Sequence, residues 1–558
     1  MRKIILLLGI IICHNNLGLA QISFTNQTSA FLSDTTVYSG CAMGIADMNG
    51  DNLDDIIRLK DAKDLTIHYQ KADGSTFDDY TYGNTSPSNQ WSMCIADVDS
   101  NGYNDILVGG YFNELSLLKA NSSGDAYTYN EILDDALFLQ GSNFADIDNN
   151  GTIDLFACHD IGLSKAFSND GNGNLIYDSL LINAVSTIPS DNSGNYGTIW
   201  TDYDNDGDLD MYLSKCRQGA SNPLDGRRVN QLFQNDGNGN YIDVAEAAGL
   251  RPLGQSWATD FADIDNDGDL DCFIINHDIS SGIYENNGDG TFTNVTSTSG
   301  INTEIATIVG GIQCMFKDFD NDTYVDLLVT TSNQHKLFQN DGDFTFTLVN
   351  DPFPTTLKIQ SAVVGDLDND GALDVYAGFA SSFNNPISNR LDKLYINEES
   401  TNNYLRVLLK GDNNNINAIG SRIEIYGDWG VQVREVRSGE SYGIMNSFIS
   451  HFGLADATIV DSLIVRWPVG QVDKYYDVAI NQLLCIEDTC IDYLLVEDLV
   501  IDIDTTFKAI VQIQLDNVSV MPLTKVKFEA PNLLVSNNCD ISAETDVQVI
   551  NKKGCVNY

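Results

Sequence analysis

Residues 263–271 read Asp263-Ile264-Asp265-Asn266-Asp267-Gly268-Asp269-Leu270-Asp271. Oxygen-bearing side chains stand at positions 1, 3, 5 and 9, with glycine at position 6. The pattern recurs as DMNGDNLDD from Asp47, DVDSNGYND from Asp97, DIDNNGTID from Asp146, DYDNDGDLD from Asp202, DFDNDTYVD from Asp318 and DLDNDGALD from Asp366. The seven copies start 48 to 61 residues apart. A period of this size marks a repeat architecture in which each unit is one supersecondary element.

The spacing points to a cation. A tight loop turns the side chains at positions 1, 3, 5 and 9 toward one centre, and short oxygen donors of this kind suit Ca²⁺. Position 7 varies, as expected where only the backbone carbonyl is used. The candidate ligands are Asp47, Asn49, Asp51 and Asp55 in the first loop and Asp97, Asp99, Asn101 and Asp105 in the second. The third has Asp146, Asp148, Asn150 and Asp154, and the fourth Asp202, Asp204, Asp206 and Asp210. The fifth has Asp263, Asp265, Asp267 and Asp271, the sixth Asp318, Asp320, Asp322 and Asp326, and the seventh Asp366, Asp368, Asp370 and Asp374. Up to seven Ca²⁺ are expected, one per repeat. Helical calcium loops of the EF-hand kind carry a bidentate Glu at position 12. Here that position holds Arg58, Val108, Ala157, Leu213, Ile274, Val329 and Ala377. The flanks are short apolar runs such as DILVGG from Asp105 and DLLVTT from Asp326, which read as buried strands. Asn52 and Thr323 replace glycine at position 6. A β-branched residue is strained there, so the Asp318 loop is expected to be the most distorted or weakest binder.

Each repeat also holds an aromatic–turn–aromatic element, for example FSNDGNGNL from Phe167, FQNDGNGNY from Phe233, YENNGDGTF from Tyr284 and FQNDGDFTF from Phe338. It reads as a hairpin with an ordinary surface turn. Four strands per repeat make a propeller blade, and seven blades close a ring. The last repeat breaks off after Leu394-Tyr395-Ile396-Asn397, and SFTNQTSAFL from Ser23 resembles FTNVTSTSG from Phe292. The N-terminal strand is therefore expected to complete the last blade and remove the open edge. These repeats resemble the FG-GAP, or VCBS, repeats of integrin-type seven-bladed propellers over about residues 22–400. The resemblance implies calcium binding at the matching Asp and Asn positions.

From Asn403 the acidic motif stops. YLRVLLKG, AIGSRIEI, VQVREVRSGESYGIMNS, HFGL and VRWPVG read as strands of a small β-domain similar to the ASPIC/UnbV domain, which follows such propellers in cartilage acidic protein and many bacterial secreted proteins. Arg434, Glu435, Arg437, Ser438, His451 and Arg466 are its candidate catalytic groups, but no nucleophile elbow or metal-ligand spacing accompanies them. Structural roles are expected, with a small anionic-ligand or docking site as the alternative. The tail alternates apolar and polar residues in short steps, suggesting stacked strands in a stalk. It resembles spacer modules of secreted Bacteroidota proteins. The expected architecture is all-β: residues 1–20 a signal peptide, 21–400 the propeller, 401–489 the small β-domain and 490–558 the stalk-like tail.

Composition narrows the partners. Thirty Lys and Arg face 79 Asp and Glu, a net charge of −49, which disfavours nucleic acid and anionic membranes. Arg2 and Lys3, the apolar run Ile4–Ile12 and Gly18-Leu19-Ala20 read as an export signal. No later segment is apolar enough to span a membrane. Seven Ca²⁺ would bring the mature charge of −51 to about −37. After Cys13 ten cysteines follow. Cys485/Cys490 and Cys539/Cys555 can form local disulfides, and the six earlier ones can equally be buried thiols.

These features lead to a secreted or cell-surface calcium-binding module for an extracellular glycan or protein. The alternative is a calcium-dependent polysaccharide lyase or dehydratase with a site at the propeller axis. Its candidate bases are His68, His159, His277 and His335. His159 and His277 stand out because each follows its loop closely and precedes an Asp.

Overall fold

Every acidic nonapeptide lies between two apolar runs, and in each case those runs pair with each other. In the computed structural model, which describes residues 22–397, 401–411, 414–468 and 470–488 and the backbone of short strands between Tyr493 and Ile550, the chain is all-β apart from two four-residue helices. The export signal read in residues 1–20 lies outside the described residues. The fifth repeat shows the pattern: Ser256–Ala262, Asp271–Asn276, Gly282–Asn286 and Phe292–Asn294 pair antiparallel in that order. Its register sets Thr259 opposite Ile274, Cys272 opposite Tyr284 and Asn286 opposite Phe292. The nonapeptide joins the first strand to the second, and the aromatic–turn–aromatic element joins the third to the fourth.

Seven such four-stranded units are present. Their first strands are Met43–Ala46, Gln90–Ala96, Leu139–Ala145, Asn195–Thr201, Ser256–Ala262, Gly311–Lys317 and Ser361–Gly365. Each lies beside the next, and the last lies beside the first, so the ring is closed. First and second strands are buried almost throughout, because each sheet packs face to face on its neighbours. The last unit is completed as the sequence suggests. Phe24–Asn26 pairs antiparallel with Lys393–Asn397, Phe24 opposite Asn397, and Phe24 stacks on Phe353 at 4.6 Å.

The small β-domain consists of two sheets. Asn403–Lys410 lies between Ser450–Ala455 and Leu483–Glu487, and Arg422–Gly427 pairs with Gly430–Glu435 and Val460–Arg466, the latter followed by Val472–Val478. The tail strands pair in parallel at offsets of about twenty residues: Tyr493 with Gln512, Ile513 with Leu533, Val500 with Ser519, and Thr505 with Val526. Three such three-stranded sheets match the stacked short strands expected of a stalk.

The two units are not beads on a string. Residues 437–446 of the small domain enter the ring and touch the first strand of every sheet. Ile444–Met445 adds a fifth strand to the first sheet, parallel to Met43–Gly44. Met93 N–H donates to the Gly443 carbonyl, and Phe144 N–H to that of Ser438. Arg437 donates to the Thr201 hydroxyl at 3.1 Å and to the Phe261 carbonyl at 3.0 Å. Cys314 N–H donates to the Ser441 hydroxyl, and Val364 N–H to the Asn446 side-chain oxygen at 2.9 Å. Tyr442, fully buried, hydrogen-bonds Gln140. The glycines of Arg-Ser-Gly-Glu-Ser-Tyr-Gly have a reason: Gly439 and Gly443 take φ of 80° and 69°, and a Cβ on either would meet a first-strand carbonyl at 2.4 Å or less.

Candidate metal centres

Each nonapeptide is tied by its own backbone donors. In the loops at Asp47, Asp97, Asp146, Asp202 and Asp318 the position 1 carboxylate collects the N–H groups of positions 5 and 6, as Asp202 does from Asp206 and Gly207 at 3.0 Å. The position 5 oxygen accepts the N–H of position 7 in all seven loops, for example Tyr324 on Asp322 at 2.9 Å. The position 9 carboxylate bridges the loop to the third strand: Asp326 accepts Phe319 N–H on one oxygen and Asn340 N–H on the other, both at 2.9 Å. Two residues of each loop have positive φ. Position 6 is one, as expected; position 4 is the other, at Gly50, Ser100, Asn149, Asn205, Asn266, Asn321 and Asn369. Asparagine recurs at position 4 because its side chain tolerates that region.

The tied loops leave oxygens over. Among the described residues, the carboxylates at positions 1, 3 and 9 come together in the loops at Asp97, Asp146, Asp263 and Asp318, and positions 1, 3 and 5 in the loop at Asp202. One oxygen of each ligand in a group lies within 4.8 Å of the others. Asp99, Asp204 and Asp265, all at position 3, each have one buried oxygen without a hydrogen-bond partner, as do Asp263, Asp366 and Asp210. Buried carboxylate oxygens normally have partners. Burial, reinforced by neighbouring carboxylates, pushes Asp105 and Asp154 up to about 8 and Asp326 and Asp374 well above the usual range. A cation among them offsets that cost. The donor set, hard oxygens only, fits a divalent metal ion. Position 5 contributes less than expected: Asp206 joins the group around Asp202, whereas Asp267 and Asp322 stand outside the groups around Asp263 and Asp318.

The Asp318 loop does not deform. Thr323 takes φ 94°, inside the 90–98° of the glycines at the same position in other loops. The strain sits in that residue, held by Asn266, which donates to its carbonyl at 3.2 Å, and by Ala455 N–H on the Asn321 carbonyl at 2.8 Å.

The aromatic–turn–aromatic elements do more than turn. Asn169, Asn286, Asn340 and Asn397 reach across to the preceding sheet and donate to the position 2 carbonyl of its loop, on Val98, Tyr203, Ile264 and Phe319 at 2.6–2.9 Å. In the fourth unit Tyr241 takes over, donating to Ile147 at 2.7 Å. Repetition of Asn at this point of the third to seventh repeats was the available signal.

The small domain sits on the loop face. Arg406 pairs with Asp366 at 2.5 Å, His451 hydrogen-bonds the Gly371 carbonyl at 3.0 Å, and Glu435 accepts Asp202 N–H at 2.9 Å. Asn417 accepts Asp97 N–H at 2.8 Å, and Ser447 donates to Asp54 at 2.6 Å. Arg434 stacks on Phe452 with its guanidinium 5.1 Å from the ring, Ser438 donates to the Ile95 carbonyl, and Arg466 pairs with Glu424 at 2.8 Å. The six groups weighed as catalytic candidates thus have structural partners.

The four propeller histidines do not converge. His68 lies between Arg58 and Asp79, His159 and His335 accept backbone N–H groups, and His277 bonds the Gly311 carbonyl. Neither neighbouring Asp pairs with its histidine: Asp160 holds Arg217 and Asp278 holds Arg228. Cys41, Cys94, Cys158, Cys216, Cys272 and Cys314 are buried free thiols. Cys485 is exposed, while Cys490, Cys539 and Cys555 lie outside the described residues.

Comparison with known proteins agrees with this geometry. Residues 263–312 and 318–377 match the FG-GAP-like repeat, and residues 411–490 match the ASPIC and UnbV family. Cartilage acidic protein 1 of mouse is 26% identical over 262 residues, 44% of this chain and 38% of that protein; the human protein is 26% identical over 260 residues, with the same shares. The match thus spans about two fifths of those relatives' length. Among solved structures, an Agrocybe aegerita lectin described as recognising non-reducing terminal N-acetylglucosamine aligns with a TM-score of 0.41 at 16% identity, over 62% of this chain and 87% of that one. No helix among the described residues is long and apolar enough to cross a membrane. Residues 263–377 thus carry FG-GAP-like repeats within the closed ring of sheets, and the ASPIC and UnbV match falls on the small β-domain seated on that ring.

Proposed function

We propose that the protein is a secreted or cell-surface binding module, stabilised by up to seven Ca²⁺, that meets an extracellular glycan or protein. The observation that carries the calcium part is the row of buried position 3 and position 1 oxygens without partners. Oxygen-only sites suit calcium's six to eight oxygen ligands. The first three loops use one Asn each in place of Asp, which lowers the ligand charge and suits the high calcium of an extracellular setting. Residues 1–20 as an export signal support that setting. The inserted segment 437–446 favours binding over a lyase or dehydratase at the axis, since chemistry there needs an open channel and convergent bases.

Thermal unfolding with excess calcium and with chelator tests the metal. Each site stabilises the fold by about 2.7 kcal/mol when free calcium is one hundred times its Kd, so the midpoint falls steeply in chelator. Equal midpoints in the two buffers would sink the proposal. Sizing the mature protein with labelled extracellular polysaccharides tests the second half. Co-elution with intact chains supports a binding module, whereas shortened chains return the case to an enzyme.

A further inference from the structure

The channel end opposite the nonapeptide loops is closed by aromatic rings. Trp91 and Trp257 stand at the starts of the strands Gln90–Ala96 and Ser256–Ala262, whose far ends run into the loops at Asp97 and Asp263. Tyr111 and Phe112 follow Asp105–Gly110 at the same end. The rings form a continuous band. Phe112 stacks on Phe138 at 5.2 Å, Phe138 meets Trp91 at 5.8 Å, Trp91 meets Phe383 at 5.9 Å and Phe383 meets Trp257 at 5.4 Å. His277 extends it, lying on Trp257 at 4.6 Å and 25°. Tyr442, the tip of the inserted segment, lies beneath at 5.2 Å from Trp257 and 5.6 Å from Phe383, so the mouth has a solid floor.

We propose that the exposed end of this band, Tyr111 and Phe112, is the track on which a neutral glycan docks. The proposal rests on the binding-module reading and adds its face and ligand class. Tyr111 and Phe112 are 55% and 42% exposed, a costly arrangement for adjacent rings unless something covers them. With about 200 Å² per ring, they offer roughly 200 Å², a quarter of the ~800 Å² that each partner gives to a stable protein interface. That area suits one or two pyranose rings, whose C–H face, slightly positive, lies flat on the negative face of an aromatic ring. Apolar stacking with a few fixed polar groups is the usual composition of a small-ligand site. The chain's charge of −49 sets the sign of the ligand by repelling uronates and sulfated chains.

The test is affinity electrophoresis of the full chain, in calcium, through gels containing barley β-glucan, xyloglucan, galactomannan or alginate. Tryptophan fluorescence, reporting on Trp91 and Trp257, serves as a second readout. At least one neutral polysaccharide should retard the protein and alginate should not. The double variant Tyr111→Ala/Phe112→Ala should weaken binding at least tenfold while leaving the thermal midpoint and its calcium shift unchanged. Retardation of that variant within twofold of the parent overturns the track but leaves the binding module standing. Stronger retardation by alginate than by the neutral polysaccharides overturns the track and leaves the glycan branch standing, and no retardation by any of the four overturns both the track and the glycan branch of the function.

Discussion

Thr323 is the residue where the repeat's rule is broken without the loop giving way. A β-branched side chain at φ 94° costs about 1–3 kcal/mol, and glycine would give back part of that through its own chain entropy. Thr323→Gly is therefore expected to raise stability by about 1 kcal/mol in urea unfolding; an unchanged or lower midpoint would mean the strain is absent. His68 shows the opposite economy. Burial, with Arg58 beside it, pushes it down to about 4, and burial does the same to His335. A histidine whose folded value lies below its unfolded one binds fewer protons when folded, so its stabilisation is lost as pH falls from about 6.5 toward 4. For His68 the loss is on the order of 2 to 3 kcal/mol, read as the drop in unfolding free energy of calcium-saturated protein between pH 7 and pH 4. His68→Gln should flatten that slope. At this scale the positive φ at position 6 was legible from glycine. The one at position 4 was not, because only the first loop has glycine there.

At the scale of the element, strands and their order follow from apolar runs bounded by polar turns, and the N-terminal strand's place in the last sheet follows from a missing piece. The aromatic–turn–aromatic hairpin was harder to read. Its asparagine looks like any turn residue until the neighbouring sheet is in view, since the hydrogen bond it makes is to a carbonyl some seventy to eighty residues away. Asn340 donates to Ile264 at 2.9 Å and Val325 at 3.2 Å, and accepts Gly342 N–H at 3.0 Å. Asn340→Ala leaves buried carbonyls without donors and should cost about 2 to 3 kcal/mol. A loss under about 0.5 kcal/mol, the scale of an exposed surface change, would return the element to the status of an ordinary turn.

For the whole molecule, the ring and the small β-domain were legible as two units, but their joining was not. Residues 437–446 carry no periodicity, and nothing in Ser-Gly-Glu-Ser-Tyr-Gly names the seven strands that receive it. The arginines around it read as a possible anion site because their carboxylate partners, such as Asp260 for Arg437 and Glu424 for Arg466, are distant in the chain. Tyr442→Ala removes the ring that fills the channel and should cost about 3 to 5 kcal/mol, as for other large buried rings, lowering the thermal midpoint of the entire chain in one transition. Two separate transitions, with the ring's unaffected, would show that the units unfold independently. The inserted segment also fixes an order of events in time. The first strand of the ring is made near residue 43 and its axial partner near residue 444, so the earliest hydrogen-bonding edge waits, unpaired, for some four hundred residues of synthesis and export. Contacts so distant in the chain fold slowly, and until the axle arrives the rim has a hollow, aromatic-lined centre.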